Sequence, residues 1–259
     1  MLNQEINIKD LKIEYQNSNG IKFVVIDDLF DVDVARKCED EFTLIPEENF
    51  IHYQNPLFEF EKFALNDKEK MPSNLRKLFE YIHSQEFIEI VNQITSMEDL
   101  LVDEKRWGGG LHMTKDGGYL SVHKDFNVLP TTYEDDKQML RCVNLIGYLN
   151  SKWKEEDGGE LEFWSEDGTR SVEKIQPKFN RWILFDTRNN YHGHPYPYKG
   201  ESPRISIASY YYIRTNTDDI GWTSTVYLKL PWMEESDDYA SERNKRADHK
   251  LRYSNLLKK

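Results

Sequence analysis

Cysteine is scarce in this chain. Its 259 residues include only Cys38 and Cys142. Neither has the close spacing of a metal-binding or redox motif, so a disulfide scaffold and a thiolate metal centre are both excluded as organising principles. Two isolated thiols fit a reducing compartment, and a cytoplasmic protein is expected. Long apolar runs are missing as well: no stretch approaches the roughly 18 residues that a membrane-spanning helix needs. The opening Met1-Leu2-Asn3-Gln4-Glu5 has neither the charged start nor the apolar core of a secretion signal. Positive charge is in deficit, with 34 Lys and Arg against 46 Asp and Glu, a net charge of −12. That balance argues against nucleic acid or an anionic membrane as a general partner. No internal repeat or low-complexity tract is visible.

What is present describes a globular protein. A hydrophobic fraction of 38% with 13% aromatic residues is enough to build a core rather than a disordered chain. The length suits a single domain, 1–259, with elaborations. Ile21 to Ile26 is β-branched and aromatic and reads as a strand ended by Asp27-Asp28. From Asp31 onward, Val34, Cys38 and Phe42 recur at four-residue spacing, which predicts an amphipathic helix. Ile45 to Asp67, with Pro46 and Pro56, reads as irregular. Pro72-Ser73 opens a helix carrying Leu75, Leu78, Phe79 and Ile82, and a second follows with Phe87, Ile90, Val91 and Ile94. After Arg106 the period shortens. Segments near 106–114, 118–124, 139–150, 159–164, 170–176, 181–186 and 203–213 read as strands separated by Gly, Pro, Asn and Asp clusters, which suggests a two-sheet jelly roll. Gly108-Gly109-Gly110 marks a bulge or a close backbone approach. The charged tail from Glu234 to Lys259 reads as a surface helix or frayed end.

The chemistry concentrates around Gly118 to Asn127. On a strand, His123 and Asp125 project from the same face. An imidazole and a carboxylate side by side form two thirds of a facial metal site, which a distant His would complete. Tyr191-His192-Gly193-His194-Pro195 offers two. Two His and one carboxylate on one face leave open positions opposite, the geometry of a non-haem Fe(II) oxygenase. In Pro203 to Tyr212, alternation places Arg204, Ser206, Ala208 and Tyr210 on one face. A buried Arg at the start of such a strand needs a partner, and a carboxylate gripped bidentately satisfies it. His52, His83, His112 and His249 lie off these motifs and read as structural or surface residues.

Three blocks together carry a family resemblance. They are the His123-x-Asp125 strand; Arg141-Cys142-Val143-Asn144-Leu145-Ile146-Gly147-Tyr148-Leu149-Asn150 followed by Trp153 and Gly158-Gly159-Glu160-Leu161; and Gln176-Pro177-Lys178-Phe179-Asn180-Arg181 leading to Phe185, His192 and Arg204. In order and spacing, over about 105–215, they resemble the prolyl 4-hydroxylase-like branch of the Fe(II)/2-oxoglutarate-dependent dioxygenases. The resemblance implies an α+β, mainly β fold. Its double-stranded β-helix core (jelly roll, cupin-like) would carry N-terminal helices packed on one sheet. Residues 1–104 would form the N-terminal strand and supporting helices, 105–215 the dioxygenase core and 216–259 a C-terminal extension.

It further implies that His123, Asp125 and His192 ligate Fe(II). Arg204 and Tyr148 would bind the distal carboxylate of 2-oxoglutarate, and His194 would stand behind the ligands or at the entrance. O2 would be the second cosubstrate and ascorbate an accessory reductant. Halogenating relatives carry a small residue in place of this Asp, so Asp125 favours hydroxylation. Arg141 and Tyr210 occupy positions that contact substrate in prolyl hydroxylases; Asn127, two beyond Asp125 and on the same alternating face if the strand persists, and Trp107 could line the same mouth. The expected activity is hydroxylation of an unactivated C–H bond, foremost in a prolyl residue of a peptide or protein, with release of succinate and CO2. A free amino acid, sugar or other small intermediate is the alternative substrate, and a non-catalytic metal-binding jelly-roll sensor the alternative class. The protein is expected to be a monomer or homodimer.

Overall fold

The computed structural model describes residues 1–18, 20–129, 138–188, 190–215, 223–229 and Ser241. The tail expectation from Glu234 onward therefore falls outside the described residues, Ser241 excepted. In chain order the elements are α1 (Ile8–Asn17), β1 (Phe23–Asp27), α2 (Val32–Thr43), β2 (Ile51–Asn55), β3 (Glu59–Leu65), α3 (Ser73–Ile82), α4 (Gln85–Thr95), β4 (Leu101–Val102), β5 (Gly110–Lys124), β6 (Gln138–Tyr148), β7 (Leu161–Trp164), β8 (Ser171–Ile175), β9 (Arg181–Asp186), β10 (Tyr191–His194), β11 (Arg204–Thr215) and β12 (Val226–Tyr227).

The strands form one curled antiparallel sheet in the order β1-β9-β6-β11-β5-β10-β7-β8. The β5 strand is the seam. Its first half pairs with β11, Arg204 opposite Thr114 and Ala208 opposite Gly110, whereas its second half pairs with β10, His192 opposite His123. Along its other edge run β3, with Glu59 opposite Leu120, and then β12, with Tyr227 opposite His123. By changing partners midway, β5 passes from one leaf of the curl to the other, and the two leaves face each other as a jelly roll. The glycine run enters β5 against the backbone of Ala208, where a Cβ on Gly109 would stand 2.7 Å from the Ala208 carbonyl oxygen. This is the close approach expected of it.

The outer face of the broad leaf carries the core. Ile205, Ile207, Leu145, Val143, Trp182 and Leu184 pack there against Leu75, Leu78, Phe79 and Ile82 of α3 and Phe87, Val91 and Ile94 of α4. Alternation along β11 separates the two functions of the strand: Ile205 and Ile207 enter that core, while Arg204, Ser206, Ala208 and Tyr210 face inward. Among the described residues no helix is long and apolar enough to cross a membrane. Both cysteines are free and buried.

Two departures from the sequence reading have plain causes. The stretch from Ile45 to Asp67, expected to be irregular, contains the β2–β3 hairpin, because Pro46 precedes it and Pro56 lies in its turn, so neither interrupts a ladder. The α1 helix went unread because it buries only Leu11 and Tyr15, too narrow a stripe to stand out in a short segment.

Candidate active site

The inner surface of the curl encloses a cavity of about 580 Å³, bordered by β3, β5, β6, β10, β11 and the segment around β12. Three ligand-type side chains meet in its wall. His123 is the last residue but one of β5, Asp125 follows just past the strand's end, and His192 faces His123 across the β5–β10 ladder. The three donor atoms lie within 4.8 Å of one another. His123 Nε2 is 3.6 Å from Asp125 Oδ1, and His192 Nε2 is 3.8 Å from Asp125 Oδ2. These separations are too long for good hydrogen bonds.

The ring orientations are set from behind. His123 Nδ1 is 2.9 Å from the Ser121 carbonyl and His192 Nδ1 is 3.4 Å from that of Asn190, so both Nε2 atoms turn inward. A carbonyl accepting from the far ring nitrogen is the usual way a ligating imidazole is fixed in its tautomer. Asp125 Oδ2 is buried without a hydrogen-bond partner. Burial alone would raise the Asp125 carboxyl, but the interaction with His123 and the charge of Arg141 outweigh it and hold the group ionised. Burial, then the neighbouring His123, push His192 down to about 4, which keeps its imidazole neutral. Two inward imidazoles, an ionised carboxylate and an orphaned buried oxygen fit a divalent cation such as Fe(II).

Gly193 makes the second strand possible: a Cβ there would stand 2.7 Å from the Leu120 carbonyl oxygen and push β10 away from β5. His194, on the same strand, is not part of the three-ligand cluster. It is buried, and its Nδ1 has no hydrogen-bond partner. Burial, and next the charge of Arg204, hold its pKa well below the usual range.

Arg204 opens β11 and reaches into the cavity. Its Nε donates to the Gly159 carbonyl at 2.6 Å and its Nη2 donates to the Tyr148 hydroxyl at 3.1 Å. It is 5% exposed and has no carboxylate within ion-pair distance among the described residues. A buried guanidinium held by two neutral oxygens is poised for an anionic ligand, and Tyr148 is placed to share it.

Arg141 occupies the opposite wall. A bulge at Cys142 puts it there: Tyr211 pairs with Val143 and Tyr212 with Arg141, so Arg141 joins Asn144, Ile146 and Tyr148 on the inner face. Its guanidinium lies between the rings of Phe126 (3.7 Å) and Tyr210 (3.6 Å) and donates through Nη2 to the Trp107 carbonyl at 2.7 Å. Nε and Nη1 carry no hydrogen bond.

Two expected residues do not line the cavity. The strand ends at Lys124, so alternation does not carry on to Asn127, whose Oδ1 instead accepts from the Thr223 amide at 2.7 Å. Trp107 packs beside Leu129, Met139, Tyr210 and Tyr212 and accepts on its carbonyl from Arg141. Conversely, sequence reading set aside His112, which lines the cavity and is pushed down to about 3 by burial and then by Lys62 and Arg204. Its place on the inward alternation of β5, opposite Ser206, was the available signal. Lys62, Glu59 and Tyr53 of the hairpin, and Thr225 and Tyr227 near the C-terminus, also border the cavity.

Comparison with known proteins agrees with this geometry. Residues 108–212 match the 2OG-Fe(II) oxygenase superfamily. The fold is similar to a prolyl-4-hydroxylase from Pseudomonas putida, at 16% identity, covering 79% of this chain and 99% of that one, with a TM-score of 0.57. It is also similar to a prolyl hydroxylase from Trichoplax adhaerens solved with a hypoxia inducible factor peptide fragment (19%, 79% and 90% coverage, TM-score 0.56). HygX from Streptomyces hygroscopicus, with nickel and 2-oxoglutarate bound, gives 15% identity, 90% and 94% coverage and a TM-score of 0.54. No curated protein matches the sequence significantly. The stretch that carries His123, Asp125, His192 and Arg204 thus matches the 2OG-Fe(II) oxygenase superfamily, and its site fits an oxidoreductase that uses Fe(II), 2-oxoglutarate and O2.

Proposed function

We propose that this enzyme hydroxylates a prolyl residue within a peptide or protein. The observation that carries the reading is Arg141, caged between Phe126 and Tyr210 beside Asp125 of the ligand triad, with no hydrogen bond on Nε or Nη1. Donors without a hydrogen bond on a rigid guanidinium suit a backbone carbonyl, and flat aromatic rings beside them suit a pyrrolidine. The two prolyl hydroxylases of similar fold support the substrate class.

Bound Fe(II), with 2-oxoglutarate and O2, would supply the oxidising power for C–H cleavage. The chain's own residues do the rest. His123, Asp125 and His192 present three donors on one side of the centre and leave the other side to cosubstrate and substrate. Arg204 and Tyr148 fix the far carboxylate of the cosubstrate, which aims its other end at the triad. Phe185 and Phe163 back the His192 ring at 4.9 and 6.5 Å and keep water from behind it. Arg141 orients the substrate so that one carbon faces the oxidant.

A second reading, hydroxylation of a free small molecule, draws on the similar fold of HygX, which is also solved with hygromycin B bound. One assay separates the two. The enzyme is given Fe(II), 2-oxoglutarate and either proline-containing peptides or a mixture of free amino acids and sugars, and products are read by mass spectrometry. A gain of one oxygen on a prolyl residue, with matching succinate, is expected. Oxygen gained only on a free small molecule would overturn the peptide assignment.

A further inference from the structure

The first metal ligand is flanked on both sides. In the three-strand row β10–β5–β12, His192 lies directly opposite His123 on one side and Tyr227 directly opposite it on the other. Directly opposed residues share a face of the sheet, so all three side chains point into the cavity, and all three border it. The His123 ring is 4.6 Å from the His192 ring and 5.6 Å from that of Tyr227. Behind Tyr227 stands Phe58 of the β2–β3 turn, 4.4 Å away.

Tyr227 lies beyond the family-matched core, and so does the whole segment Thr223–Lys229. Two anchors hold the segment against the His-x-Asp stretch. Asn127, two residues past Asp125, takes the Thr223 amide on its Oδ1 at 2.7 Å. At the other end the Leu228 amide donates to the Val122 carbonyl at 2.8 Å. His123 has otherwise one hydrogen bond to hold its ring, from Nδ1 to Ser121 in its own strand. A single bond to a carbonyl leaves a ring free to rock about it, and packing on either side removes that freedom.

We propose that Tyr227 is a positioning residue for the metal centre. The segment Thr223–Lys229 straps over the edge of β5, sets the His123 imidazole through the Tyr227 ring, and completes the wall of the cavity that the core leaves open. This inference rests on the triad being a metal site. It accounts for Asn127, which closes the strap instead of meeting substrate.

The test is an anaerobic Fe(II) titration of the full chain with 2-oxoglutarate present, read by metal affinity and by the visible charge-transfer band. Tyr227→Phe keeps the ring and should bind and absorb as the native chain does. Tyr227→Leu keeps apolar bulk without a ring face and should weaken Fe(II) binding roughly tenfold or more and alter the band. Tyr227→Ala should go further, and where it fails to fold, Tyr227→Leu decides. Native-like affinity and band in Tyr227→Leu would overturn the proposal, because Tyr227 would then only pack. A native chain that binds no Fe(II) would instead overturn the reading of the triad itself.

Discussion

Arg141 and Asp125 are a buried ion pair, with Arg141 Nη1 3.5 Å from Asp125 Oδ1. Two imidazole nitrogens stand near the same carboxylate, His123 Nε2 at 3.6 Å and His192 Nε2 at 3.8 Å. The geometry of the ion pair is looser than a salt bridge built for stability, which suits a carboxylate whose main partner is a cation.

Arg141→Met should therefore destabilise the metal-free protein by about 3–5 kcal/mol, the usual cost of leaving one buried charge without its partner. A divalent cation replaces the lost positive charge, so adding Mn(II) should recover part of that loss. Urea unfolding with and without metal checks it. Equal losses in both conditions would mean that Asp125 does not face the cation.

Asp125→Ala and His192→Ala should each abolish Fe(II)-dependent succinate formation, since two donors no longer define a face. His194→Ala should retain metal binding and part of the turnover, because His194 stands outside the cluster. A dead His194→Ala beside an active His192→Ala would reverse the choice of third ligand.

For Arg204→Ala, the requirement for 2-oxoglutarate should rise while metal binding without cosubstrate is unchanged. Loss of a charge-assisted contact of about 1.5–3 kcal/mol corresponds to roughly 10- to 150-fold. Calorimetric titration of 2-oxoglutarate into the Mn(II) form measures it directly.

Acid should destabilise the metal-free fold before its carboxylates protonate. His83, bonded through Nε2 to Ser209 at 2.9 Å, is pushed down to about 4 by burial and then Arg106, and His112 is pushed down to about 3. Below pH 6.5 the unfolded chain takes up protons on these rings that the native state refuses. Stability therefore falls as pH drops from 6.5 towards 4, by up to about 1.4 kcal/mol per pH unit for each ring. His83→Asn should flatten that slope by one proton's worth. An unchanged slope would place the uptake elsewhere.

Much of the site was legible because its residues repeat a spacing that chemistry demands. His123-x-Asp125 at a strand end, a later His and the inward alternation of Arg204, Ser206, Ala208 and Tyr210 are local patterns, and period-2 alternation assigns faces without knowledge of the fold. The helices α2, α3 and α4 were legible for the same reason. The places where reading failed are those where regularity breaks. Asn127 was assigned to the cavity by extending an alternation that stops at Lys124, and the hairpin was hidden between two prolines.

By itself, then, the sequence determined which side chains could act: the ligand triad, the Arg204–Tyr148 pair and the cation at Arg141. Only the tertiary structure decided how they are enclosed. A bulge at Cys142 turns Arg141 inward, β5 changes partners to bring His192 beside His123, and a distant segment lays Tyr227 against the same ring. Pairing across strands far apart in the chain is set by the global packing of the sheet, and no local pattern of residues carries it.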